Sequence, residues 1–326
     1  MTATASASTA AERPYAELVE RFRERLDRLA PEGASVGLAV SGGPDSMAML
    51  LLAHAAIPGR FEIASVDHGL RPEATAECSL VVAACEARNI SCEVLKVSVS
   101  AGNLQQEARR ARYEALGAWA LRRGLGAFAT AHHADDQAET LLMRLNRGSG
   151  IAGLSGIRDK VDIAGVAVPL IRPLLGFRRS ELAGVVAAAG LSVARDPSNT
   201  DARFDRVRMR QELAGAEWLD PLALAQSAHH LAEANEALES VASACLDEGL
   251  EREGVMLRLR PPKGRAIRFI VLRKLFASLG KVPRGSEIAS LLDRLDAGEG
   301  SNLAGVLATV ERGQWCLRPE PARRTD

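Results

Sequence analysis

One short segment constrains this chain more than any other: Ala39–Leu50, AVSGGPDSMAML. It begins inside an apolar run of strand length, VGLAV at Val36–Val40, and continues directly into SMAMLLLAHAA. Two glycines, a proline, an aspartate and two serines thus stand between two segments whose composition demands burial. A strand that enters a glycine-rich turn and leaves it as a helix resolves the conflict. Glycine lets the backbone approach a ligand closely. The first amides of the helix have no partner inside it, and together with the helix dipole they favour an anion. Ser41, Gly42, Gly43, Pro44, Asp45 and Ser46 are therefore expected to form a phosphate cradle, with Ser46 as the N-cap. The spacing excludes the lysine-bearing G-x-x-x-x-G-K loop and the dinucleotide G-x-G-x-x-G turn.

The segments that follow alternate in period. FEIASVD (Phe61–Asp67), CEVLKVSV and GAFATA read as strands, and EATAECSLVVAACEARN, NLQQEARRARYEALGAWALRRG and DDQAETLLMRLNRG as helices. Strands alternating with helices over this length imply an α/β fold with a doubly wound, Rossmann-like parallel sheet. After Gly150 the pattern changes to a glycine-rich loop, GSGIAGLSGI, an extended VAVPLIRPLL, a helix RRSELAGVVAAAG and a polar loop RDPSNTDARFDR. From about Glu217 the chain reads as mainly helical, with VMLRLR and QWCLRP as extended stretches. The expected organisation is a disordered tail and lead-in over 1–20, an α/β catalytic domain over 21–215 opening with an amphipathic helix at Arg21–Leu29, and a helical substrate domain over 216–326.

A second cluster lies at AHHADDQAETLLMRLNRGSGIAGLSGI (Ala131–Ile157). At 100° per residue, His132, Asp135, Asp136 and Glu139 share one helical face, and Ala138, Leu141, Leu142 and Leu145 the opposite one. One face can pack on the sheet while the other presents imidazole and carboxylates. Acids that merely complement the helix dipole, structural histidines and a His/carboxylate metal site compete with a catalytic reading, although H-E-x-x-H spacing is absent.

The remaining composition narrows the function. Forty-one basic residues balance forty-one acidic ones, so any nucleic-acid contact must come from local clusters. RFDRVRMR gathers Arg203, Arg206, Arg208 and Arg210, and RLRPPKGRAIRFIVLRK is a second basic run. Five cysteines without C-x-x-C spacing argue against a metal or sulfur-transfer site and for reduced thiols in a cytoplasmic protein. The start, MTATASASTA, lacks the features of a secretory signal, and MAMLLLAHAAI is too short to span a bilayer, so no membrane partner is expected. Nothing in the pattern sets an oligomeric state.

S-G-G-x-D-S resembles the PP-loop of ATP pyrophosphatases, which cleave ATP between its α and β phosphates. Four segments together are similar to the tRNA(Ile)-lysidine synthetase family: SGGPDS at Ser41, VDHGLRPEATAE at Val66, HHADDQAETLLMRLNRGSGIAGLSGI at His132, and RPLLGFRRSEL with DPSNTDARFDR at Arg172 and Asp196. The resemblance implies ATP and magnesium as cofactors, free L-lysine and the CAU-anticodon tRNA-Ile as substrates, and lysidine as product. It implies Asp136 as general base and Glu139 as the holder of the lysine amine, with Asp135 competing for the base. Asp45 positions magnesium or the loop, and Arg109 and Arg112 face phosphate charge. His132 and His133 lie on the substrate side, and Arg206 and Arg208 face the tRNA backbone. Val207 stands where the family usually has asparagine. A tRNA thiolase and a small-molecule amidating synthetase of the same superfamily are the rival readings.

Overall fold

The computed structural model describes residues 12–69, 73–97, 104–194, 203 and 205–320. Contacts divide the chain into two compact units between His230 and Leu231. In the first unit, α1 (Glu12–Leu29) buries Leu18, Phe22, Leu26 and Leu29 along one stripe. The helix begins well before Arg21 because Leu18 carries this stripe one turn further back, within the stretch expected as lead-in. Residues 1–11 lie outside the described residues.

β1 (Val36–Ala39) is buried along its whole length. It is followed by α2 (Pro44–Ala56), β2 (Phe61–Asp67), α3 (Glu73–Glu86), β3 (Cys92–Lys96), α4 (Leu104–Arg122), β4 (Ala127–Ala129) and α5 (Ala134–Asn146). Then come α6 (Ile151–Leu154), β5 (Lys160–Val161), β6 (Leu170–Ile171), a 3₁₀ turn at Pro173–Gly176, α7 (Arg179–Ala188), α8 (Asp205–Gly215) and α9 (Pro221–Gly249). The sheet order is β3-β2-β1-β4-β6-β5, and every pairing is parallel except that of β5 with β6. Leu38 on β1 aligns with Ile63 on β2 and Ala129 on β4.

Helices cover both faces of this sheet. Met47, Leu50 and Leu52 of α2 pack with Phe22, Leu182 and Val185 on one side. Tyr113, Leu116 and Trp119 of α4 pack with Phe128 and Leu170 on the other. Gly37 permits the second layer, because a Cβ there would lie 2.4 Å from Trp119 Cζ3. The chain runs outward from β1 through β2 to β3, then crosses back to form β4 on the far side of β1. That reversal places a crevice at the carboxyl ends of β1 and β4, where open α/β sheets bind ligands.

The second unit holds a five-stranded antiparallel sheet in the order β7-β8-β11-β10-β9. Its strands are β7 (Glu251–Glu253), β8 (Met256–Leu259), β9 (Ser301–Leu303), β10 (Val306–Glu311) and β11 (Gln314–Pro319). α10 (Arg265–Ser278) and α11 (Gly285–Asp296) pack with it around Phe276, Leu292 and Trp315. Only β8 and β11 were anticipated as extended, so this unit carries more sheet than the pattern suggested. The second basic run is largely neutralised within the unit. Arg265 pairs with Asp293 at 2.5 Å, Arg268 with Asp296 at 2.6 Å and Lys274 with Glu239 at 3.1 Å, and Arg273 also meets Glu239. No helix among the described residues is long and apolar enough to cross a membrane.

Candidate active site

The turn after β1 has the conformation its glycines allow. Gly42 has φ +84°, and its carbonyl accepts the amide of Ala194 at 2.9 Å. Gly43, not Ser46, is the N-cap of α2, because Pro44 starts the helix at the position where its missing N–H costs nothing. Ser46 sits one turn in, is buried, and braces the loop from beneath. Its hydroxyl donates to the Gly43 carbonyl at 2.9 Å and accepts the Ser41 amide at 3.2 Å.

α5 begins directly beyond β4, and His133 is its N-cap. The His133 ring is 2% exposed and stands among three carboxylates: Nε2 is 3.5 Å from Asp45 and 3.6 Å from Asp136, and Nδ1 is 3.5 Å from Asp135. Burial alone would lower its pKa. Hydrogen bonds to Asp135 and Asp45, with the charges of Asp136 and Asp45, outweigh burial and push it up to about 10. His133 is then an imidazolium paired with the surrounding carboxylates. The 3.4 Å approach of the Asp136 amide to Nδ1 is in that state no hydrogen bond. The cap rests instead on the His133 amide donating to Asp136 Oδ2 at 3.1 Å. His133 thus fastens the phosphate loop to the acidic helix through Asp45.

Asp135 is occupied elsewhere. Its Oδ2 accepts the Arg179 amide at the start of α7, at 2.8 Å. Burial would raise its pKa, but the His133 and Arg179 hydrogen bonds hold it below the usual carboxylate range. Asp136 and Glu139 face α8. Arg206 donates from Nη2 to Asp136 Oδ1 at 2.8 Å and from Nε to Glu139 Oε2 at 2.7 Å. Arg210 donates from Nε to Glu139 Oε1 at 2.7 Å. Burial would raise the Asp136 pKa as well, but the charges of His133 and Arg206 hold it low.

Loop and helix open onto one cleft of about 580 Å³. Ser41, Gly43, Pro44, Asp45, Ser46, His132, Asp136, Arg112 and Arg206 line it, joined by Arg210 of the basic cluster and by Arg179, to which no role is assigned by the sequence. Gly42, His133, Asp135 and Glu139 adjoin these lining groups without lining the cleft themselves. Two expected residues point elsewhere. The Arg109 guanidinium stacks 4.8 Å from the Tyr113 ring centre, and Arg208 is exposed and paired with Asp205. Arg206 and Arg210 are one turn apart on α8, matching the Asp136–Glu139 pair on α5, and that matched spacing was the available signal for Arg210. Val207 between them is buried. Most of RDPSNTDARFDR lies outside the described residues.

Residues 11–217 match the family model described as a PP-loop domain. The chain is 46% identical over 310 residues to a tRNA(Ile)-lysidine synthase of Novosphingobium aromaticivorans, spanning 94% of this chain and 95% of that one. It is 38% identical over 303 residues to the tRNA(Ile)-lysidine synthase of Zymomonas mobilis, covering 90% and 91%. The chain belongs to the tRNA(Ile)-lysidine synthase family. A U34-tRNA thiolase from Methanococcus maripaludis, with a TM-score of 0.55 and 17% identity over 70% of this chain and 80% of that one, shares the PP-loop fold.

In this lysidine synthase family member the two adjacent histidines titrate in opposite directions. His132, whose Nδ1 lies 3.0 Å from Thr130 Oγ1, is pushed down to about 3. Burial is the main cause and outweighs the opposing charge of Asp136, and the charges of Arg172, Arg112 and Arg206 add to the lowering. An unfolded histidine titrates near 6.5. Below that pH the unfolded chain takes up a proton that folded His132 refuses, so stability falls as pH drops from about 6.5 toward 3. Folded His133 keeps a proton that the unfolded chain releases, so its contribution is complete below about 6.5 and is lost as pH rises through about 10. Each limb has a limiting slope of about 1.4 kcal/mol per pH unit. Urea unfolding against pH should therefore peak near 6.5. His132→Gln should flatten the acid limb, to which Asp135 and Asp136 also contribute, and His133→Gln the alkaline limb. Parallel profiles for both variants and the wild type would contradict these assignments.

Proposed function

We propose that this protein ligates free lysine to the wobble cytidine of the CAU-anticodon tRNA-Ile, using ATP. One observation carries the reading: a PP-loop and the acidic start of α5 share a single cleft, tied together through Asp45, His133 and Asp136. In the first step the 2-oxo group of the cytosine attacks the α-phosphorus and pyrophosphate leaves. In the second the lysine side-chain amine attacks the same ring carbon, loses its proton, and AMP leaves. The loop amides and Arg112 hold the phosphates. Asp45 is the group placed to meet a phosphate-bound magnesium. Such an ion needs only one or two carboxylates beside phosphates and waters. When bound, it would supply neutralising charge to the leaving pyrophosphate.

Free lysine is about 3.4 pH units too protonated to attack at pH 7, equivalent to roughly 4.6 kcal/mol. Asp136 and Glu139 answer that demand. The carboxylates already bind cations, so a lysine ammonium takes the place of guanidinium contacts from Arg206. Asp136 accepts one proton from the ammonium, which frees the nitrogen lone pair for attack, and the second proton leaves to solvent as the C–N bond forms, the nitrogen becomes acidic and AMP departs. Asp135 is a poor competitor, because the amide of Arg179 occupies it. A cytoplasmic location follows from the tRNA substrate. The test is AMP release from ATP. It should require both the tRNA and lysine, and mass spectrometry should find the lysyl adduct on the wobble cytidine. AMP formed with ammonia in place of lysine would instead favour an amidating synthetase.

A further inference from the structure

Of the three tryptophans, Trp119 and Trp315 are each 1% exposed, whereas Trp218 is 83% exposed. Its ring stands in the turn between α8 and α9, and that turn is fastened at both ends. Ala216 donates its amide to the Leu213 carbonyl at 3.1 Å, and Leu219 donates to Ala216 at 2.9 Å. Asp220 caps α9 by accepting the Leu222 amide at 2.9 Å, and its carboxylate also receives Arg178 at 2.7 Å. The ring is therefore presented to solvent on an ordered support.

Two paths lead from this turn to the cleft. Arg178 precedes Arg179, which lines the cleft and whose amide is held by Asp135. In the other direction runs α8, 11 residues and so ~16 Å long. Its first turns carry Arg206 and Arg210 onto Asp136 and Glu139. Trp218 thus lies about one short helix away from the carboxylates. A few unstacked nucleotides can cover that distance.

We propose that Trp218 is a stacking platform for an unpaired nucleobase of the tRNA, a few nucleotides from the cytidine held in the cleft. This rests on the tRNA-modifying reading above. Single-stranded loops are gripped by aromatic side chains on which bases stack, and every base has a face to offer. The exposed residues beside it, Ala214, Gly215, Glu217 and Asp220, are small or acidic. They form no contiguous apolar patch of the kind a protein partner would cover. A single flat ring suits a base.

The two buried tryptophans make Trp218 the fluorophore that a bound base can reach. Titrating the full chain with a CAU-anticodon tRNA-Ile transcript should quench tryptophan emission to saturation, and Trp218→Phe should abolish the quench. Trp218→Ala should raise the tRNA Kd about 5- to 100-fold, Trp218→Phe much less, and neither should alter the KM for ATP or the melting temperature. A quench absent at saturating tRNA, or an unchanged Kd for Trp218→Ala in an enzyme that makes lysidine, would overturn the stacking site and leave the proposed function standing. Failure of the wild type to bind this tRNA at all would overturn both. A change in oligomeric state on Trp218→Ala with unaltered tRNA affinity would assign the ring to a second copy of the chain instead.

Discussion

Asp136→Asn is expected to leave ATP binding intact while lysidine formation falls by about 10²- to 10⁴-fold, the usual contribution of a positioned general base. The substitution is nearly isosteric, but Asp136 uses both oxygens as acceptors, Oδ1 for Arg206 and Oδ2 for the His133 amide. Asparagine can serve only one of them. The phosphate loop keeps its bracing by Ser46 and the contact of Asp45 with His133, so the KM for ATP should stay within about twofold. A pH profile separates lost chemistry from lost structure. Without the base the reaction depends on lysine that is already neutral, so the variant rate should climb about tenfold per pH unit between 7 and 10, following the amine pKa near 10.4. The wild-type rate should rise less steeply. Unchanged turnover in Asp136→Asn would remove it as the base. Equal pH slopes with reduced turnover would make it a positioning group only.

The parts of this site that could be read in the residues are those fixed over a few positions. SGGPDS between two buried runs admits few conformations, so the turn and its crevice followed from local sterics. The cap was misplaced from Gly43 to Ser46 because a serine near a helix start is a good N-cap in general. Here Pro44 at the first helical position moved the boundary forward. The faces of α5 were legible from its period. What its carboxylates meet was not. Arg206 and Arg208 are two residues apart in an evenly basic stretch, yet one reaches Asp136 and Glu139 while the other pairs with Asp205 at the surface. Helical phase separates them, and the phase of α8 depends on where that helix starts. The sheet of the second unit was missed for a related reason. β9 has three residues and β7 is exposed throughout, so neither shows the alternation by which strands are recognised, whereas β10 does alternate in burial and was hidden by the mainly helical reading of its surroundings.

Glu139 should prove to be the residue whose loss costs stability and activity together. Its side chain is 2% exposed and serves as the shared acceptor for the Nε groups of Arg206 and Arg210, each at 2.7 Å. Breaking a fully buried ion pair by deleting one partner costs about 3–5 kcal/mol. Here the guanidiniums are 44% and 26% exposed, and Arg206 retains Asp136, so solvent recovers part of that cost. Glu139→Ala should lower the unfolding free energy by about 3 kcal/mol, read as a shift of the urea midpoint at constant slope. Glu139→Gln keeps the shape and one acceptor and should cost about half as much. Adding Arg210→Ala to Glu139→Ala should cost little more, because the cation left without its partner is then gone, and a double-mutant cycle would show this as strong coupling. In both Glu139 variants the KM for lysine should rise more than the KM for ATP, since the proposed lysine site is at Asp136, which shares Arg206 with Glu139. An unshifted urea midpoint for Glu139→Ala would mean that water already satisfies both guanidiniums. Additive losses in the cycle would mean that α5 and α8 are held together by something other than this shared carboxylate.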